Sequence, residues 1–200
     1  SDLWAGDDYV MLDAPGSVGF AAEAASALEI ADLALVVIPP EPERAPLAEP
    51  LLRELEARGV PHSIFVNKID KAPGTIEQLL EALEPCSSAA LVARQIPIAG
   101  ADQVTGFIDL ALDRAYHYRQ GKASEPQPIA EEMKEAENIA RFHMLEQLAD
   151  HDDDLLEQLL EDRQPDPSLV FGDLRRETAE GLIVPVMFGS ASNSFGVRRL

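Results

Sequence analysis

The chain has 200 residues, 46% of them hydrophobic, which is enough for one domain or for one domain with a sizeable insertion. A formal net charge of −20 repels the phosphate backbone of nucleic acids, so the composition argues against a free-standing nucleic-acid binder. No apolar run is long enough to span a membrane, and the first residues do not resemble a signal peptide. The single cysteine, Cys86, excludes an internal disulfide and is typical of a cytosolic protein.

Short apolar runs alternate with helical patterns through the first half of the chain. The run at 33–38 is apolar throughout, as expected of a strand buried on both faces. Strands alternating with helices imply a parallel sheet with right-handed crossovers, so the sequence predicts a doubly wound α/β core. The predicted elements are strands at 9–12, 33–38 and 63–66, and helices at 20–31, at 47–58 and from residue 75 onward.

The pattern changes after residue 85. Apolar runs at 91–98 and 104–110 predict paired strands, the stretch 129–160 predicts two helices, and a further helix is expected at 173–180. Residues 125–163 hold thirteen acidic against three basic residues, and the run at 182–188 returns to the buried-strand pattern. We therefore expect a core of residues 1–85 and 181–200, interrupted by an acidic, mostly helical insertion at 86–180.

The segment Asn67-Lys68-Ile69-Asp70 directly follows a predicted core strand, at the edge of the sheet where ligands bind in such folds. An aspartate there can accept hydrogen bonds from the N1 and N2 donors of guanine, which adenine does not offer. The asparagine can fix the loop, and the aliphatic stem of the lysine can cover a flat base. An ordinary polar turn after a strand is the competing interpretation.

This segment resembles the Asn-Lys-x-Asp guanine-specificity element of the GTPases. Gly189-Ser190-Ala191, after the last predicted strand, resembles the second base-contacting loop of that family, where a backbone N–H meets the guanine O6. The resemblance implies GTP or GDP as ligand and the following base-binding residues: Asn67, Lys68, Asp70, Ser190 and Ala191.

Asp13-Ala14-Pro15-Gly16 resembles the Asp-x-Pro-Gly element of the same family. The resemblance implies that Asp13 reaches a Mg²⁺ ion through water and that the Gly16 N–H senses the γ-phosphate. A Pro-Gly turn after a strand is the alternative for this motif taken alone.

Longer segments resemble elongation factor G in particular, namely 65–70, 96–98 with 106–110, 154–161 and 181–191. The resemblance spans nearly the whole chain. It implies a cytoplasmic GTPase that drives a ribosomal step such as translocation or recycling, with an insertion similar to a region that contacts an acidic-stalk ribosomal protein. The fold class expected is a partial P-loop NTPase-type parallel sheet with an inserted α+β subdomain.

Two features depart from the family. Ser17 stands where the family has the histidine that positions the attacking water, so we expect weak or altered hydrolysis. No segment matches the phosphate-binding Gly-x-x-x-x-Gly-Lys-Ser/Thr pattern, since Gly121-Lys122 is followed by Ala123. Phosphate contacts supply most of the affinity for a triphosphate, so we expect these 200 residues, as part of a larger domain, neither to bind nor to hydrolyse GTP. A sheet edge exposed without the first strand would favour pairing between copies.

Other functions stay open on this sequence. One alternative is a degenerate, non-hydrolysing binding module that contacts the ribosome or another partner, and Ser17 favours it. The intact Asn67, Lys68 and Asp70 favour a GTP hydrolase. A release factor or a tetracycline-resistance ribosomal protection protein is a third possibility, which the insertion disfavours. The four histidines show no metal-ligand spacing, and the acidic run at 152–154 is typical of a helix start. Trp4, Tyr116 and Tyr118 are interpreted as packing residues.

Overall fold

The computed structural model describes residues 2–4, 7–14, 21–72, 75–100, 104–119, 122 and 124–197, with the backbone alone for 2–4, 7–8 and 21–23. The strands are β1 (Asp2–Trp4), β2 (Asp7–Tyr9), β3 (Ala34–Ile38), β4 (His62–Val66), β5 (Ala90–Ala93), β6 (Gln95–Ala99), β7 (Val104–Asp109), β8 (Arg114–His117), β9 (Glu125–Gln127) and β10 (Ile183–Phe188). The α-helices are α1 (Ala21–Leu28), α2 (Glu49–Arg58), α3 (Ile76–Leu83), α4 (Lys134–Ala149), α5 (Asp153–Leu160) and α6 (Pro167–Ala179). Short 3-10 helices cover Pro42–Ala48, Ile69–Lys71, Glu84–Cys86, Glu131–Met133 and Ala191–Asn193.

A four-stranded parallel sheet in the order β3-β4-β10-β5 forms the centre of the fold. Every residue of β4 is buried, and Ile64 pairs with Val36 on one side and Val186 on the other. This register places the carboxyl ends of β4 and β10 side by side, because Val66 lies opposite Phe188. The predicted α/β class with a parallel sheet is confirmed.

Helices α2 and α3 cover one face of this sheet with leucines at helical spacing. Leu52, Leu55, Leu79 and Leu83 are at most 1% exposed and pack in one cluster with Ile64. Helix α2 ends where Gly59 takes a left-handed conformation, φ 66°, and its N–H bonds the carbonyl of Glu56. Helix α3 begins with a capping box between Thr75 and Gln78, at the position where the sequence predicts the start of a helix.

Two predictions about the first strands are wrong. The strand expected at 9–12 lies instead at Asp7–Tyr9, where it pairs with β1, and Met11 beyond it is 92% exposed. Strand β3 is buried on one face only, since Leu35 and Val37 are 42% and 57% exposed. On the second face of this edge strand, Leu35 and Val37 are left uncovered by the described residues.

A second, antiparallel sheet has the order β6-β7-β8-β9 and corresponds to the predicted insertion. The apolar run at 91–98, expected as one strand, divides at Arg94. Strand β5 before it joins the parallel sheet, and β6 after it joins the antiparallel one. The Arg94 N–H donates to Val186 at 3.0 Å and its carbonyl accepts from Leu110 at 3.1 Å, so one segment links both sheets. The division of the chain at residues 85 and 180 stays a prediction.

The predicted helix break at the acidic run is confirmed, because Asp152 caps α5 by accepting a 2.9 Å hydrogen bond from the Leu155 N–H. Helix α6 begins six residues before the expected position, since Asp166 caps it and Pro167 occupies its first turn. It packs against β10 and β4 and also contacts α4. None of the helices in the described ranges is long and apolar enough to cross a membrane.

A buried acidic cluster joins α6 to the start of α5. Arg176 pairs with Asp173 at 2.8 Å, with Asp152 at 3.0 Å and with Glu177 at 3.2 Å, so one cation serves three carboxylates. Asp173 and Glu177 are at most 1% exposed. Burial, reinforced by the charge of Asp173, raises the pKa of Glu177 from 4.5 to about 7. The pKa of Asp173 is raised as well, by burial and then by the charge of Asp152.

A carboxyl whose pKa is raised in the folded state stabilises the fold below its unfolded pKa of 4.5, and this contribution is lost as the pH rises through about 7. We therefore expect the free energy of unfolding to fall between about pH 5 and pH 8. Glu177→Gln should remove most of that fall and leave the variant about 2 kcal/mol more stable than the parent at the upper end. Urea unfolding across this pH range measures the free energy of unfolding.

Glu180→Gln, at an exposed position just after the same helix, is the matched control. Identical pH profiles for the parent and Glu177→Gln would contradict the assignment.

Candidate functional site

The loops that follow β4 and β10 lie against each other at the carboxyl end of the parallel sheet. The Ile69 N–H donates to the Gly189 carbonyl at 3.0 Å, and the Gly189 N–H donates to Val66 at 3.0 Å. A further bond from the Asn67 N–H to Ile38, 2.8 Å long, ties the first loop to the edge strand β3. Two of the three polar turns singled out in the sequence therefore meet, at the edge where parallel sheets bind ligands.

The side chain of Asn67 holds these two loops together. Its Oδ1 atom accepts a hydrogen bond from the Lys68 N–H and another from the Ala191 N–H, both 2.9 Å long. Lys68 takes a left-handed conformation, φ 65°, which is uncommon for a residue with a side chain. The bond from Asn67 stabilises that conformation and leaves the Lys68 side chain exposed beside the loop.

The loop after β10 is closed by a pair of backbone hydrogen bonds between Ser190 and Phe195, 3.0 Å and 2.9 Å long. Ser190 is fully buried, and its hydroxyl accepts a 3.0 Å bond from the Asn193 side chain. A side chain at Gly189 would overlap the Phe195 carbonyl and lie 2.6 Å from the Phe65 ring, so only glycine fits there. The closed turn places Ala191 on the surface with its N–H facing Asn67.

Asp70 carries an unused acceptor at this site. Its Oδ1 atom is shielded from solvent and has no hydrogen-bond partner among the described residues. A carboxylate oxygen without a partner is costly in a folded protein, and a ligand that brings hydrogen-bond donors removes that cost. The two oxygens of a carboxylate match two adjacent N–H donors such as those on the edge of guanine.

The predicted role of the Ala191 N–H requires an exchange of partners. The resemblance assigns this group to the guanine O6, whereas in the structure it donates to Asn67. A bound base would therefore share this hydrogen or take it over from Asn67.

Only the first two residues of the third predicted turn lie in the described part of the chain. Asp13 is exposed in the segment after β2, whereas Gly16 and Ser17 lie outside the described residues. No group of three or more His, Cys, Asp and Glu in the described ranges is arranged to hold a metal ion. An exposed carboxylate nevertheless suits Mg²⁺, which keeps several waters and takes its remaining ligands from phosphates.

The contact of Tyr118 at this site was not predicted from the sequence. The Tyr118 ring, which follows β8 of the antiparallel sheet, stacks on Phe195 with 4.3 Å between ring centroids and 1° between planes. The packing role predicted for the Tyr118 ring agrees with this stack, as does the role predicted for Tyr116, which stacks on Phe107. No local sequence signal indicates that Tyr118 packs against the loop after β10.

The chain is similar to known proteins over nearly its whole length. It is 40% identical over 201 residues to a Synechocystis sp. protein named elongation factor G-like protein, covering 98% of this chain and 30% of that protein. It is 31% identical to elongation factor G of Thermotoga maritima, covering 99% of this chain and 29% of that protein. A solved structure from Thermus thermophilus superposes with a TM-score of 0.84 at 28% identity, over 98% of this chain and 29% of the other.

The chain thus spans less than a third of the length of these relatives. The family model described as elongation factor Tu GTP binding domain matches residues 3–200. The parallel sheet and the antiparallel subdomain agree with the GTP-binding domain of a translational GTPase. The chain belongs to the elongation factor Tu GTP binding domain family.

Proposed function

We propose that the loops after β4 and β10 recognise the guanine base of GTP and GDP. The observation that carries this proposal is the bond between Asn67 and the Ala191 N–H, which joins the two loops beside the unpaired oxygen of Asp70. Asp70 accepts from the N1 and N2 donors of the base, and the exposed stem of Lys68 covers one face of the purine. Ser190 supports the turn that presents Ala191.

Adenine is rejected by the same geometry. It has neither the N1 nor the N2 donor, so it would leave the Asp70 carboxylate unpaired in a partly closed site. A buried acceptor left unpaired costs about 1–3 kcal/mol, and more when it is charged.

The whole protein, in this proposal, is a cytoplasmic GTPase that couples GTP hydrolysis to a ribosomal step such as translocation or recycling. The names of the relatives support it. Asp13 would hold Mg²⁺ through water and the Gly16 N–H would contact the γ-phosphate, and the bound ion would supply charge that neutralises the phosphates. The 200 residues contain no phosphate-binding loop motif, so the chain by itself lacks the charge-assisted phosphate bonds that such a loop supplies.

The inserted subdomain, residues 86–180, is proposed to face the ribosome and to contact an acidic-stalk ribosomal protein. Its antiparallel strands form a sheet of their own, and helix α4 leaves Ile139 and Phe142 more than half exposed. The exposed Leu35 and Val37 on edge strand β3 support self-association of the isolated chain. A net charge of −20 disfavours binding to free nucleic acid.

A non-hydrolysing binding module is the second candidate, and Ser17 is the observation in its favour. A serine hydroxyl can hydrogen-bond a water molecule but does not reach as far as an imidazole and does not carry its charge. In this alternative the guanine site is retained and GTP turnover is lost.

Replacing Asp70 by asparagine in the full-length protein should weaken GDP binding at least about 100-fold, because an amide offers one acceptor where the base presents two donors. Xanthosine diphosphate, which has an acceptor in place of the N2 donor, should then bind more tightly than GDP. Competition against a fluorescent guanine nucleotide measures both affinities. Lys71→Gln, one residue away and exposed, is the control and should leave the preference unchanged. An unaltered GDP affinity in Asp70→Asn would refute the role of this carboxylate.

The 200-residue chain alone should show no heat of binding for GTP with Mg²⁺ at nucleotide concentrations up to about 1 mM. The reason is that charge-assisted bonds to phosphate supply most of the affinity for a triphosphate. Isothermal titration calorimetry, with the full-length protein as the positive control, measures this. A micromolar dissociation constant for the isolated chain would contradict the expectation.

Ser17→His in the full-length protein should raise ribosome-stimulated GTP turnover by at least about tenfold, since a positioned acid–base group contributes more than that in most enzymes. Steady-state phosphate release with and without ribosomes measures it. Ser17→Ala is the matched control for loss of the hydroxyl. Equal, fast turnover by the parent and Ser17→His would show that the serine is no impediment.

A further inference from the structure

Tyr118 connects the antiparallel sheet to the loop after β10. On its own side, its N–H donates to the Thr105 carbonyl at 2.9 Å, and its ring lies 5.7 Å from the fully buried Phe107. On the other side, the same ring stacks on Phe195, the residue that closes the loop through its two backbone bonds to Ser190. A parallel stack at 4.3 Å is an attractive contact between two rigid groups, so the position of Tyr118 restrains the loop.

The hydroxyl of Tyr118 is not explained by packing. It is shielded from solvent and has no hydrogen-bond partner in the described part of the chain, and the same holds for the Oδ1 atom of Asp70. Both groups border the loop after β10, because the Tyr118 ring stacks on Phe195 and Ile69, the residue before Asp70, donates to the Gly189 carbonyl. Burial raises the pKa of Tyr118, and the negative charge of Asp70 raises it further. One group is a hydrogen-bond donor and the other an acceptor, and each lacks a partner.

We propose that Tyr118 is a positioning residue for guanine recognition, whose stacked ring restrains the loop after β10 and whose hydroxyl donates to the Asp70 carboxylate when a base is bound. The inference rests on the proposed guanine site. Each carboxylate oxygen can accept more than one hydrogen bond, so Asp70 can bind the base and Tyr118 together. A hydrogen bond from Tyr118 stops rotation of the carboxylate and keeps both oxygens in the plane of the guanine edge.

This role predicts a selective effect on the base. Guanine uses both oxygens of Asp70, through N1 and N2, whereas hypoxanthine lacks the exocyclic amine and uses one. Freeing the carboxylate to rotate therefore weakens guanine binding more than hypoxanthine binding. A residue that merely packs the loop would weaken both bases by the same factor.

The experiment compares GDP, IDP and ADP affinities of the full-length protein and its Tyr118→Phe variant, which retains the ring and removes the hydroxyl. We expect the dissociation constant for GDP to rise about tenfold and that for IDP about threefold or less, without a fall in melting temperature. Tyr118→Leu, which also removes the stack on Phe195, should lower the affinity for both nucleotides further. Tyr116→Phe, which changes the neighbouring buried tyrosine of β8, is the control. It should keep the parent's ratio of GDP affinity to IDP affinity.

The outcomes distinguish a failure of the proposed role of Tyr118 from a failure of the proposed guanine site. Suppose that the parent protein prefers GDP to ADP and that Tyr118→Phe keeps the parent's ratio of GDP affinity to IDP affinity. The role of Tyr118 is then overturned and the guanine site stands. If the parent shows no preference for GDP over ADP, the guanine site is overturned and this inference with it. A ratio of GDP affinity to IDP affinity that falls in Tyr118→Phe but not in Tyr116→Phe supports the inference.

Discussion

The hydrogen bond from the Ala191 N–H to Asn67 is the interaction on which the candidate site depends. It joins two residues 124 positions apart and lies at the ends of two strands that the sheet register has already placed side by side. The same oxygen atom also stabilises the left-handed conformation of Lys68. One side chain thus sets the shape of the first loop and the position of the second, and Asp70 gains a fixed place relative to both.

The parallel sheet makes that bond possible, and the inserted subdomain is built onto the same sheet. Arg94 lies where one extended segment passes from the parallel to the antiparallel sheet, bonded through its backbone to Val186 in one and Leu110 beside the other. Helix α6 packs against β10 and β4 from within the residues of the insertion. The stack of Tyr118 on Phe195 is a third link, and it ends at the loop after β10. Displacement of the antiparallel sheet would therefore act on this loop directly.

Much of the fold could be predicted from the sequence because alternating apolar and helical patterns dictate a parallel sheet. The errors arose where the apolar pattern of a segment does not determine which sheet it joins or what covers it. An apolar run such as 91–98 is the same whether it stays in one sheet or passes into another, and the apolar residues of β3 do not indicate whether a neighbour covers them. At the site, Asn67 and Asp70 were identifiable from residue type and position after a strand. The contacts from Asn67 to Ala191 and from Tyr118 to Phe195 were not, because distant side chains meet through tertiary packing.

A structure of the full-length protein with GDP and Mg²⁺ bound tests the central claim most directly, since it locates the base itself. We expect the two oxygens of Asp70 to lie about 3 Å from N1 and N2 of guanine, with the Ala191 N–H directed at O6. A guanine bound elsewhere on the protein, or one whose N1 and N2 atoms face away from Asp70, would contradict it.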